Sequence, residues 1–157
     1  MEKDMDRTFQ EEYVFGSVLL LANKFQIWGD NLLEDITFKQ WFLLIIISKM
    51  GCKNLKIKEI AEFSGTSRQN TKKIIEQLEK KGYLTIAKCK TDERALNVKL
   101  SKKTQVFFTE NKKKAAKSIN ELFSVISDKE LSVTYKVLEK LLGLFEISQL
   151  NFEAQNE

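Results

Sequence analysis

The chain has 157 residues, 43% of them hydrophobic and 31% charged, with no proline, six glycines and two cysteines. That is enough chain for one domain with its own core, and too little glycine and proline for a flexible linker or low-complexity tail. Two cysteines cannot staple a disulfide scaffold, and the longest strictly apolar run, residues 41–47, is too short to cross a bilayer. Residues 1–14 are acidic and lack the basic-then-apolar order of a signal peptide, so the chain is expected in the cytoplasm, without membrane contact. The net charge of +4 is unevenly spread: residues 53–114 carry net +10, and the flanks 1–52 and 115–157 carry −3 each. A basic middle between acidic ends is the footprint of a polyanion-binding face, although a solvated lysine-rich surface gives the same balance.

In chain order, a first helix is expected over residues 8–32. Its middle, residues 13–22, is apolar on nearly every side, which demands burial on nearly every side. Cover by a second subunit satisfies that demand, and a central position in the chain's own core is the alternative. Thr37-x-x-Gln40 reads as a capping box opening a second helix that ends near Lys49, with Gly51 as its stop. Residues 55–57 read as a short extended segment, and residues 58–63 as a third helix broken by Ser64 and Gly65. Thr66-x-x-Gln69 reads as another capping box, opening a fourth helix whose buried face is Thr71, Ile74, Ile75 and Leu78. Gln69 and Lys73 then point outward, flanked by Asn70 and Lys72, with Arg68 in the first turn. Gly82 ends this helix behind Lys80 and Lys81. Residues 83–89 and 95–100 read as an antiparallel hairpin with a charged tip at 90–94. Ser101 is expected to cap a long helix, and Asp128 a last one carrying Leu131, Tyr135, Leu138, Leu141, Leu142 and Phe145.

Catalytic chemistry is poorly supplied. Histidine is absent, which removes the commonest general base and metal ligand. No phosphate-cradling glycine loop is present, and the carboxylate pairs Glu11/Glu12 and Asp92/Glu93 lie in polar segments. Neither an enzyme nor a cofactor or metal site is expected. Cys89 lies between Lys88 and Lys90, where cations favour a reactive thiolate, but no resolving partner is near it in sequence, and a strand cysteine packed as a small apolar residue is the favoured reading. Phe25, Trp28, Phe38, Trp41 and Phe42 cluster where the first two helices are expected to meet. Core packing explains them, and the sharper reading is a ligand pocket lined by Phe25, Trp28, Trp41 and Phe42.

The fold class is therefore mainly α with a small β-hairpin wing. A helix–turn–helix followed at once by a basic hairpin suits DNA, because the helix can enter the major groove and the hairpin can reach the backbone or minor groove. Candidate contacts are Thr66, Ser67, Arg68, Gln69, Asn70, Lys72 and Lys73 on the helix, and Lys88, Lys90 and Arg94 on the hairpin. Lys103 is expected to add only diffuse charge. The rival class is a winged-helix module that assembles with proteins and does not bind DNA.

The order of short motifs resembles the MarR family of winged-helix regulators. These motifs are Thr37-x-x-Gln40-Trp41, Ile57-x-x-Ile60-Ala61, Gly65-Thr66-Ser67-Arg68, Leu78-Glu79-x-x-Gly82-Tyr83-Leu84, Asp92-x-Arg94 and Val98-x-Leu100-Ser101. The resemblance implies one domain over 1–157, with a winged helix–turn–helix core at 37–101 and dimerisation helices at 8–32 and 102–150. It implies a homodimer on a pseudo-palindromic double-stranded operator, acting as a repressor that a small apolar or phenolic effector releases. In it Arg94 would enter the minor groove, and Asp92 would hold the wing by pairing with a basic side chain. Three departures stand out. Thr85-Ile86 replaces a basic residue common after the fourth helix, the glycine after the wing is missing from Leu100-Ser101-Lys102-Lys103-Thr104, and no cysteine lies early in the first helix. The last argues against oxidant sensing there.

Overall fold

The computed structural model describes residues 6–50, 55–88 and 96–145. Among these residues six helices and one hairpin follow in order: α1 (Arg7–Asp30), α2 (Phe38–Lys49), α3 (Ile57–Ser64), α4 (Arg68–Lys80), β1 (Leu84–Lys88), β2 (Leu96–Leu100), α5 (Lys102–Phe123) and α6 (Asp128–Gly143). The mainly α architecture with a two-stranded hairpin is the one the sequence implies. The chain divides into two compact units, Met1–Phe42 and Leu43–Glu157.

In the first unit, α1 buries only Gly29. A side chain there would overlap the ring of Phe38, so the glycine lets that ring lie against the helix. The corner is then fixed by polar contacts. The Phe38 backbone N–H donates to Asp30 Oδ1 at 2.5 Å. The Thr37 N–H donates to Gln40 Oε1 and the Gln40 N–H to Thr37 Oγ1, both at 3.2 Å, which is the reciprocal box read from the sequence. The rest of α1 presents Tyr13, Phe15, Val18, Leu19, Leu20 and Leu21 to the surface.

The core of the second unit is aliphatic. Leu44, Ile46, Ile47, Ile60, Ile75, Leu78 and Val98 are fully buried, and Tyr83 and Leu84 nearly so. Burying each such side chain contributes about 1.5–3 kcal/mol relative to exposure. Helix α4 packs against α3 and β1, turning Thr71, Ile74, Ile75 and Leu78 inward as its three- and four-residue spacing requires. The antiparallel hairpin pairs Leu84 with Leu100 and Ile86 with Val98. Period-two alternation puts these four on one face, with Thr85, Ala87 and Lys99 on the exposed one.

Four local expectations are corrected. Helix α1 spans Arg7–Asp30 and stops before Asn31 and Leu32. Ile57 belongs to α3, and the extended stretch before it is Leu55 and Lys56. The cap of α4 is Ser67, whose Oγ accepts from the Asn70 N–H at 3.2 Å; Thr66 lies outside the helix. The cap of α6 is Ser127, with Asp128 the first helical residue. Ser101 caps α5 as expected, accepting from the Thr104 N–H at 3.3 Å.

Candidate nucleic-acid interface

The turn into α4 is built from hydroxyls. Gly65 ends α3 at φ +65°, a left-handed conformation that glycine adopts without a Cβ penalty. The Thr66 hydroxyl lies 3.0 Å from that of Ser64 and 2.7 Å from that of Thr71, which is fully buried. Three residues thus satisfy one another across the turn, and the buried hydroxyl of Thr71 has a partner. Thr66 is half-buried in this network, whereas Ser67, Arg68, Gln69, Lys72 and Lys73 are exposed and Asn70 is half-buried. Lys72 also pairs with Glu76 at 3.7 Å one turn further on. The outward face of α4 therefore brings together a cap hydroxyl, two amides and three cations, while its inner face is locked in the core.

The exit from α4 is more constrained than its sequence suggests. Gly82 sits at φ +76° with open space where a Cβ would point. Its N–H donates to the Glu79 carbonyl at 2.8 Å, and the Tyr83 N–H to the Leu78 carbonyl at 2.9 Å. This is a Schellman close. The three carbonyls that follow are taken by the first turn of α5. Lys103 Nζ donates to the Lys81 carbonyl at 3.1 Å, and Ser101 Oγ to the Gly82 carbonyl at 2.7 Å. The Thr104 hydroxyl and the Ser101 N–H both donate to the Tyr83 carbonyl. Lys103 Nζ also lies 4.3 Å from the centroid of the Tyr83 ring. On the other side, Glu79 Oε1 accepts from the Ile86 N–H at 2.9 Å, tying α4 to the edge of β1. Sequence reading missed both ties: lysine, serine and threonine after a hairpin are not distinctive, and only the fold brings residues 101–104 to residues 81–83.

The hairpin stem places the Lys88 backbone at the end of β1. Lys90, Asp92, Arg94 and Cys89 lie outside the described residues, as do Gly51 and Cys52. Phe25, Trp28 and Trp41 are half-buried and Phe42 is exposed. Trp41 packs on Phe38 with ring centroids 5.3 Å apart. Among the described residues no group of three metal-ligating side chains converges, and no helix is long and apolar enough to cross a membrane. At the start of α6, Glu130 is held below the usual carboxylate range, first by its bond from the Ser127 hydroxyl and then by that from the Ser127 N–H.

Residues 36–96 match the model of the MarR family. The chain is 26% identical over 112 residues to the uncharacterized HTH-type transcriptional regulator YfiV of Bacillus subtilis, covering 71% of this chain and 69% of that protein. Its fold is similar to that of Sco3205, a MarR family transcriptional regulator from Streptomyces coelicolor solved in complex with DNA. That match has a TM-score of 0.73 and 17% identity, covering 99% of this chain and 97% of the other. It is also similar to Streptococcus pneumoniae FabT, likewise solved in complex with DNA, with a TM-score of 0.63 and 21% identity over 90% and 98% of the two chains. Motif order and hairpin register agree with these likenesses: residues 36–96 are similar to the MarR family model, and the chain shares the fold of solved MarR family regulators.

Proposed function

We propose that this protein is a sequence-specific double-stranded-DNA-binding transcriptional regulator, a cytoplasmic homodimeric repressor that a small apolar or phenolic ligand releases. The observation that carries the reading is the two-sided α4. Its inner face is fixed by Thr71, Ile74, Ile75 and Leu78, and its outer face offers Ser67, Arg68, Gln69, Lys72 and Lys73 within a segment of net charge +10. Amides can pair bidentately with adenine, and basic side chains can reach guanine or phosphate. Thr66 supports the turn, and Asn70 reads from its half-buried position beside the cap. Lys88, Lys90 and Arg94 extend the contact along the hairpin, with Asp92 holding its tip. The single-domain reading with a 37–101 core and dimerisation helices at 8–32 and 102–150 follows the same logic. Helices α1 and α6 each present broad apolar surface, the kind that marks a partner surface, here a second copy on a pseudo-palindromic site. The effector would lodge against Phe25, Trp28, Trp41 and Phe42.

The test is a salt titration on random-sequence duplex. The logarithm of affinity should fall against the logarithm of salt with a slope of about −0.9 per phosphate neutralised. Absence of duplex binding even at low salt would overturn the DNA reading and favour a protein-assembly role.

A further inference from the structure

We infer that Lys103 is a positioning residue for α4, acting through the Lys81 carbonyl and the Tyr83 ring rather than through DNA phosphate. The inference rests on the reading of α4 as the helix that meets bases.

The carbonyls of residues 81–83 lie beyond the last turn of α4 and before the hairpin ladder. They need outside donors, and each receives one from the first turn of α5. Lys103 supplies the charged one. A cation at a helix C-terminus also opposes the negative end of the dipole. The ring beneath it does not yield: Tyr83 is 1% exposed and meets Phe107 edge-on at 5.4 Å. Thr104 is fully buried, so the latch is anchored in the core at one end while Lys103 closes it at the surface. A lysine beside a basic face would ordinarily be assigned to phosphate. Here its ammonium already has an acceptor and a ring, and both hold the exit of α4.

This distinction has a measurable form. Nonspecific binding depends on summed charge and tolerates small misalignment. Base readout requires the helix to sit within a fraction of an ångström of its place. Removing a positioning residue should therefore lower affinity for a preferred site and leave the salt slope on random duplex unchanged. Lys103→Met keeps most of the apolar stem and removes donor and charge. Lys103→Arg keeps both.

The probe is a duplex selected by the wild-type protein from a random pool, compared with the unselected pool. Lys103→Met should weaken binding to the selected duplex by roughly three- to tenfold, the range of one lost hydrogen bond. Its slope on unselected duplex should equal that of the wild type, and Lys103→Arg should restore the selected-site affinity. A slope smaller in magnitude by about 0.9 in Lys103→Met would assign Lys103 to a phosphate and overturn the inference, while leaving the DNA reading intact. Unchanged affinity for both duplexes would also overturn it. If the wild type selects no duplex, the underlying reading has failed and the inference falls with it.

Discussion

Gly82→Ala isolates the cost of one backbone conformation. Nothing lies within 4 Å of the position its Cβ would take, so no clash contributes. What remains is φ +76°, where an L-residue with a Cβ is less stable by roughly 1–2 kcal/mol. Alanine also restricts the unfolded chain, which returns about 0.4–1 kcal/mol. The expected net loss is about 1 kcal/mol. Gly143→Ala is the internal control. It too has open space, but it sits at the end of α6 outside the left-handed region, so the same substitution should be neutral or slightly stabilising. Urea unfolding at one fixed protein concentration reads the difference. With a slope of roughly 1–3 kcal/mol per molar, the Gly82→Ala midpoint should fall by about 0.3–1 M with the slope unchanged. Gly82→Asn should lose less, because asparagine tolerates the left-handed region. Equal midpoints for Gly82→Ala and Gly143→Ala, or an asparagine variant no better than alanine, would refute the account.

Three further outcomes are expected. Leu19→Asp places a charge on the exposed apolar surface of α1, and sedimentation should shift it from dimer to monomer with loss of selected-site binding. A wild type that is monomeric at micromolar concentration yet binds its site would contradict the dimer. Asn70→Ala should cost about 1–3 kcal/mol of discrimination at one base pair and little on random duplex, measured by competition with permuted sites. Ser127→Ala should cost about 1 kcal/mol through its lost cap. Glu130, whose folded pKa is lowered, contributes stability present above the unfolded carboxylate range and lost as pH falls through the folded value. Amide protection in the first turn of α6 should fall on acidification, and in Ser127→Ala this pH dependence should shrink.

What was legible follows the range of each interaction. The Thr37–Gln40 box needs only four consecutive residues, so the sequence holds all of it. The inward face of α4 is equally local, since periodicity alone sorts Ile74, Ile75 and Leu78 from Gln69 and Lys73. The sequence leaves the cap of α4 ambiguous by one residue, because Thr66 and Ser67 are both competent and each has an amide residue three positions on. The choice is tertiary: Thr71 is buried, its hydroxyl requires a partner, and Thr66 turns inward to supply it. At α6 the deciding signal is local, because Ser127-x-x-Glu130 is itself a capping box one residue before Asp128. The latch between residues 101–104 and 81–83 spans a whole hairpin, and no spacing rule announces it.

The last step concerns α6, a 16-residue helix with no buried residue. A helix of this length is marginal on its own in water, even with a good cap, because most helical stability in proteins comes from packing an apolar face. The Ser127 box and the acidic first turn of Asp128 and Glu130 favour the helical start. They do not explain why Leu131, Val133, Tyr135, Val137, Leu138 and Leu141 recur along it with large exposed areas. A soluble helix that served only as a solvated spacer would carry charge at those positions. Helix α1 poses the same question over 24 residues, of which Gly29 alone is buried. Within the helices flanking the turn, by contrast, Ile60, Ala61, Ile74, Ile75 and Leu78 are buried. The polar face of α4 and the apolar surfaces of α1 and α6 are thus two different kinds of incompleteness: the first is matched by an anion, and the others only by more apolar surface. A homodimer on DNA supplies both kinds of partner, which is why that reading accounts for more of the chain than either a monomeric DNA-binding domain or an assembly module alone.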